Sequence, residues 1–258
     1  MKKLVIIAGA AAEIGSSYCK EIISQNIDCI AVIRNTAMVF DSPYLNVIVC
    51  RLDVEKDIEE KFSAINFDIY DSVIYLHAIG TDAFEPRGYP TIRPLETIPP
   101  IVYDANVNSF KYLFRYCIKR IKDIRHSTGK KISFKTAIIG GVPDKYTPFV
   151  IESFCEAKFI LRQYIQSSVS LYSEWCSGLS INITSTNIKG AFRVRPYADT
   201  TYWLTPQEVV DGSMHNLLSD DLGYKEMDII KKDPNFVPSY YENNDLLYEK
   251  WSKETGIK

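Results

Sequence analysis

The residues most suited to chemistry stand near the start of the chain, in Ala8-Gly9-Ala10-Ala11-Ala12-Glu13-Ile14-Gly15. This stretch follows an apolar β-branched run and opens a helical pattern. Glycine at such a junction meets two physical needs. It permits a backbone turn that a side chain would block, and it lets phosphate groups approach the amide N–H groups at a helix start. A purely structural turn is the alternative reading, because two glycines alone do not distinguish the two. Further along, Arg193 and Arg195 offer forked donors for a carboxylate or phosphate, or else are solvated loop charges. The three histidines, His77, His126 and His215, lack metal-ligand spacing, so no metal is expected. The six cysteines are scattered with no CxxC pair, and several fall inside apolar patterns. They read as buried free thiols of a reducing compartment.

The elements that must position these residues alternate along the chain. Leu4–Ala8 is a short apolar run fit for a buried parallel strand, and Ile14–Ile23 changes to helical spacing. Cys29–Ile33 and Val47–Leu52 read as the second and third strands, Glu55–Phe62 as a charged helix, and Ser72–Leu76 as the fourth strand. Thr81–Pro100, rich in Pro, Gly and Arg, reads as a loop. From Val102 to Ile124 the apolar positions predict one long amphipathic helix. Lys131–Ile139 predicts a fifth strand, Phe149–Trp175 a second long helix, Leu179–Ile188 a sixth strand and Met227–Ile230 a last one. Thr205 and Pro206 have the residue types of an N-cap and a first helical position. The tail from Asp233 is expected to pack over the rest.

Repeated β-α-β order predicts α/β architecture: a doubly wound parallel sheet of about seven strands flanked by helices, with right-handed crossovers. Without linkers or repeats, residues 1–258 are expected to form a single domain. Ligands of such sheets bind beyond the carboxyl ends of the strands. A net charge of −2 gives no basic footprint for nucleic acid, and no apolar run reaches the length of a membrane span. The expected location is cytoplasmic, because the apolar N-terminal run is short and Glu13 soon follows.

These features together resemble the short-chain dehydrogenase/reductase family, over roughly residues 1–220. Gly9 and Gly15 match the outer glycines of its TGxxxGxG turn; Ala8 replaces the threonine and Glu13 the middle glycine. His77-Ala78-Ile79-Gly80 stands where the family has NNAG, and Asp104-Ala105-Asn106-Val107-Asn108-Ser109 matches its helix motif. The resemblance implies a Rossmann-type fold that binds NADP(H). It implies cofactor contacts from Gly9, Ala12, Ile14, Gly15, Arg34, Asp53, Val54, Ala78, Lys158 and Ile188. Arg34 ends the second strand, where an acidic residue would accept from the ribose 2′-OH of NAD. An arginine instead offers donors to the 2′-phosphate of NADP, or is a solvated surface charge. Asp53 contacts the adenine amine in this reading, or caps the helix that begins at Glu55.

The catalytic positions depart from the family. Its YxxxK motif reads Phe154-Cys155-Glu156-Ala157-Lys158 here, and its serine falls at Gly141. The lysine is kept, while the phenol and the hydroxyl are gone. Removing a general acid typically costs ~10²–10⁴-fold in rate. Asn106 matches the asparagine that bends the helix and holds a water of the proton relay, or is a helix-interior asparagine bonding backbone. Tyr146, in the loop after the fifth strand, is an alternative acid or a loop residue. The catalytic candidates are therefore Asn106, Lys158 and Tyr146. Three functions follow: an atypical NADP(H)-dependent oxidoreductase acting on a polar metabolite or sugar derivative, with an anionic substrate at the loop arginines; an impaired relative that binds NADP(H) or a partner as a sensor or supporting subunit; or a different reaction on the same fold. The long helices are expected to pair in a homodimer or homotetramer.

Overall fold

The computed structural model describes residues 1–35, 41–80, 98–145, 152–231 and 243–256. Seven strands form one sheet: β1 (Lys3–Ala8), β2 (Asp28–Ile33), β3 (Leu45–Val49), β4 (Ser72–His77), β5 (Ser133–Gly141), β6 (Cys176–Ile183) and β7 (Gly223–Ile229). They lie in the order β3-β2-β1-β4-β5-β6-β7, and every pairing is parallel. The first three strands step outward in one direction, and β4 returns to the other side of β1. That reversal opens a crevice at the carboxyl ends of β1 and β4, where Ala8 pairs His77.

Both faces of the sheet are covered, which is why the strands read as continuous apolar runs rather than alternating ones. Leu4, Ile6 and Ala8 of β1 face a core closed by α2 (Glu55–Phe62), α4 (Ser109–Thr128) and α5 (Glu152–Leu171). Val5 and Ile7 face the opposite core, closed by α1 (Glu13–Ser24) and α7 (Pro206–Leu218) through Tyr18, Ile22, Val210 and Leu217. All six cysteines are buried and free. Among the described residues, no helix is long and apolar enough to cross a membrane.

The structure moves several boundaries. The helix expected over Val102–Ile124 is three pieces: α3 (Pro100–Tyr103), a π-turn over Asp104–Asn108, and α4. At the π-turn the Asn106 side-chain amide donates to the Val102 carbonyl at 2.8 Å, and Ser109 Oγ to the Ala105 carbonyl. These side chains compete with the regular backbone ladder, a recognised way of bending a helix. The sixth strand stops at Ile183, five residues short of expectation; the chain then leaves the sheet and forms an isolated bridge from Thr186 to Leu204. The third strand ends at Val49 rather than Leu52. The helix begun at Thr205 carries a complete capping box with Glu208. Two helices lie where loop and tail were expected: α6 (Lys189–Val194) and α8 (Asn244–Thr255). Asn243 caps α8 by accepting from the amides of Asp245 and Leu246, and Gly256 follows it in the left-handed conformation. The expected loop falls largely on residues 81–97, outside the described residues.

Candidate functional site

A cleft of about 900 Å³ runs along the carboxyl ends of the strands. Its floor is the turn after β1. Gly9 adopts φ +80°, and a Cβ there would come within 3.0 Å of the Ala78 carbonyl and of Ile79 Cγ1. Gly15 packs against the same turn, so a Cβ would collide with the Gly9 carbonyl. Both glycines therefore let the turn sit flat between α1 and the end of β4. Gly9, Ala12 and Ile14 line the cleft, whereas Gly15 is buried beneath it as a packing residue.

At one end of the cleft stand two arginines. Arg34 follows β2 and Arg51 follows β3; both are exposed and line the cleft. Both stand just beyond the carboxyl ends of neighbouring strands, because Ile33 pairs Val49 and the Cys50 amide donates to the Ile33 carbonyl. Asp53 lines the same end, with Oδ2 3.4 Å from the Arg51 guanidinium. Val54 is the N-cap residue of α2 and is not among the lining residues. Sequence reasoning missed Arg51 because an overlong third strand put it inside the sheet. With β3 ending at Val49, Arg51 falls at the open edge.

The other end is built from Ile139, Gly140, Gly141, Pro143, Phe154 and Ile183, with Ala78, Ile79 and Gly80 between the two ends. Here the aligned chemistry is rearranged. Lys158 is fully buried, and its ammonium donates to the Ile79 carbonyl at 2.7 Å. It lies 5.3 Å from the centre of the Phe154 ring. Phe154 lines the cleft, while Lys158 and Asn106 do not. Burial pulls the Lys158 amine down to about 7. His77, where the family has an asparagine, is buried among Tyr75 and Phe110, with Nδ1 2.9 Å from the Tyr75 hydroxyl. Burial first, and then the Lys158 charge, hold His77 well below the ordinary histidine range.

Gly141 leaves little room for a side chain: a Cβ would be 3.3 Å from Pro143 Cδ and 3.7 Å from Phe154 Cε1. Its amide donates to Asp144 Oδ2 at 2.7 Å, and Asp144 forms a buried ion pair with Arg162 of α5. This pair clamps the end of β5 to α5. Tyr146 lies outside the described residues.

Beyond Ile188 the two loop arginines part: Arg193 agrees with the reading as a solvated charge, and Arg195 is held inside the protein. Arg193 is exposed and is not among the lining residues. Arg195 is buried between the rings of Trp203 and Trp251, 4.4 and 4.6 Å from their centres. It pairs with Glu254 at 3.2 Å and donates to Ser185 Oγ at 3.0 Å. Arg195 thus anchors α8, and both Arg195 and Trp251 of that helix line the cleft. The signal available in sequence was Asn243 and Gly256 framing the Leu246, Leu247 and Trp251 pattern.

With this geometry, similar solved structures can be compared. A 3-ketoacyl-(acyl-carrier-protein) reductase from Brucella melitensis, complexed with NADH, superposes with a TM-score of 0.71 at 14% identity, over 88% of this chain and 96% of that one. A short chain dehydrogenase from Burkholderia cenocepacia, in complex with NADP, gives 0.67 at 11% identity over 97% of each chain. Another from Leptospira borgpetersenii, with bound NAD+, gives 0.68 at 17% identity over 90% and 92%. The fold is that of the short-chain dehydrogenases. No family model matches the sequence, and no curated protein matches it. Within this fold, the cleft described above lies at the topological switch point, the usual place for a ligand.

Proposed function

We propose that the cleft binds NADP(H), and that the chain is an oxidoreductase of short-chain type acting on a polar metabolite or sugar derivative. The observation that carries the reading is that Arg34 and Arg51, which follow the neighbouring strands β2 and β3, both line one end of a cleft floored by the Gly9 turn. The residues fit the group. Two guanidinium forks suit a 2′-phosphate better than a bare ribose hydroxyl, Asp53 supplies an acceptor for an adenine amine, and the flat turn gives a phosphate chain access to backbone amides. Bound NADP(H) would supply or accept a hydride.

The chain's own contribution at the far end is orientation and exclusion of water by Ile139, Phe154 and Ile183. Phe154 has no proton to give, so a carbonyl substrate would draw its proton from water or from another residue, of which Tyr146 is the first to test. The test of the reading is isothermal titration with NADPH and NADH. Tighter binding of NADPH is the expected result, and equal affinities overturn the assignment.

A second reading is favoured by Lys158, whose ammonium is buried, donates to the Ile79 carbonyl and lies against the Phe154 ring. In this reading the chain binds NADP(H) without turning it over, as a sensor or as the supporting subunit of a complex. Binding of NADPH with no oxidation by any carbonyl substrate favours it over the first.

A further inference from the structure

Glu13 is the carboxylate that replaces a glycine in the turn, and the nucleotide reading gives it no role. It opens α1 and lines the cleft, and its two oxygens accept from the backbone amide of Lys189 at 2.9 and 3.2 Å. Lys189 opens α6, directly after the segment that leaves β6. In the sheet, β4 and β5 stand between β1 and β6. With strands about 4.8 Å apart, the contact joins segments that follow strands roughly 14 Å apart in the sheet, and Glu13 lines the same cleft as Ala78–Gly80 and Gly140–Gly141. It is a bridge between the turn after β1 and the segment that leaves β6, both of which line the cleft. Any ligand that joins the arginine end to the Phe154 end must run past this carboxylate, and a pyrophosphate there would face a like charge in a partly walled site.

We propose that Glu13 determines which phosphate-bearing ligands the cleft admits. Its bridge to Lys189 opposes a dinucleotide, which enters by displacing Glu13, while a ligand confined to Arg34 and Arg51 binds with the bridge intact. The proposal rests on the reading of the arginine end as a 2′-phosphate site, and the test separates the two.

The full chain and its Glu13→Gln and Glu13→Ala variants are titrated with NADPH and with adenosine 2′-monophosphate, which lacks the pyrophosphate. Glutamine keeps an acceptor for Lys189 without the charge; alanine removes both. NADPH should tighten about tenfold or more in the alanine variant, the scale of one screened like-charge contact, and adenosine 2′-monophosphate should stay within about twofold. Tightening in the glutamine variant as well assigns the effect to charge. Tightening in alanine alone assigns it to the bridge. Either outcome supports the proposal. Adenosine 2′-monophosphate that binds, together with NADPH affinity unchanged or weakened in both variants, overturns it. Failure of every form to bind either ligand overturns the NADP(H) reading instead. Independently of any ligand, amide hydrogen exchange at Lys189 should quicken in Glu13→Ala; unchanged exchange removes the bridge and the proposal with it.

Discussion

The ring of Phe154 stands 5.3 Å from the ammonium of Lys158 and lines the cleft, which the buried lysine does not. A phenol at this position would have its oxygen in the region that Lys158 can polarise; a phenyl ring leaves the lysine with only the Ile79 carbonyl. Wild-type protein should therefore consume NADPH with simple ketones, quinones and keto-sugars far more slowly than the ~10 s⁻¹ typical of enzymes. Phe154→Tyr combined with Gly141→Ser should raise that rate. The serine Cβ has to displace Pro143 by a few tenths of an ångström, so Phe154→Tyr alone is the cleaner comparison. Wild-type turnover near ordinary enzyme rates would show that another group supplies the proton, and Tyr146→Phe would then test that residue.

The arginine pair should carry the cofactor preference. Charge-assisted hydrogen bonds contribute about 1.5–3 kcal/mol each, so Arg51→Ala should weaken NADPH by about tenfold or more and leave NADH nearly unchanged. Arg34→Asp should abolish or reverse the preference. Titration calorimetry with both nucleotides reads each effect, and equal losses for NADPH and NADH would remove the 2′-phosphate assignment.

Lys158 should make stability depend on pH. Burial pulls its amine from 10.5 to about 7. Between those values the unfolded chain holds the proton and the folded chain does not, so stability rises with pH across that window. Below about 7 both states are protonated, and the folded chain bears the full cost of a buried charge. Lys158→Met should thus gain most over wild type below pH 7, and the gain should shrink as pH rises toward 10. Loss of the bond to Ile79 adds an offset that does not vary with pH. Urea unfolding at pH 6, 8 and 10 measures the trend; a difference constant across the range would contradict it.

The outer faces of α4 and α5 should mediate self-association. Phe114, Ile118, Tyr164 and Leu171 border a groove there, and Leu171 and Phe159 are 72% and 52% exposed. Light scattering at micromolar concentration should report a dimer or tetramer, and Leu171→Glu should shift it toward monomer. A monomeric wild type would refute the expectation.

The sequence by itself determined the α/β order, the parallel sheet, the glycine turn and the capped start of α7. Each is written in short-range terms: strand and helix periods, a backbone angle, a side chain reaching three residues ahead. It also located Arg34, because the residue after a buried apolar run falls at the strand's open edge. Only the tertiary structure decided the rest of the site. Arg51 joined it when β3 ended at Val49 rather than Leu52, which left it at the same end of the cleft as Arg34. Arg195, read in sequence as a fork for a carboxylate or phosphate or as a solvated loop charge, pairs with Glu254, 59 residues away, between two tryptophans. Glu13 found its partner at Lys189, 176 residues on, across two intervening strands. Such pairings depend on where strands stop and on the order in which they lie in the sheet, and hydrophobic periodicity encodes neither.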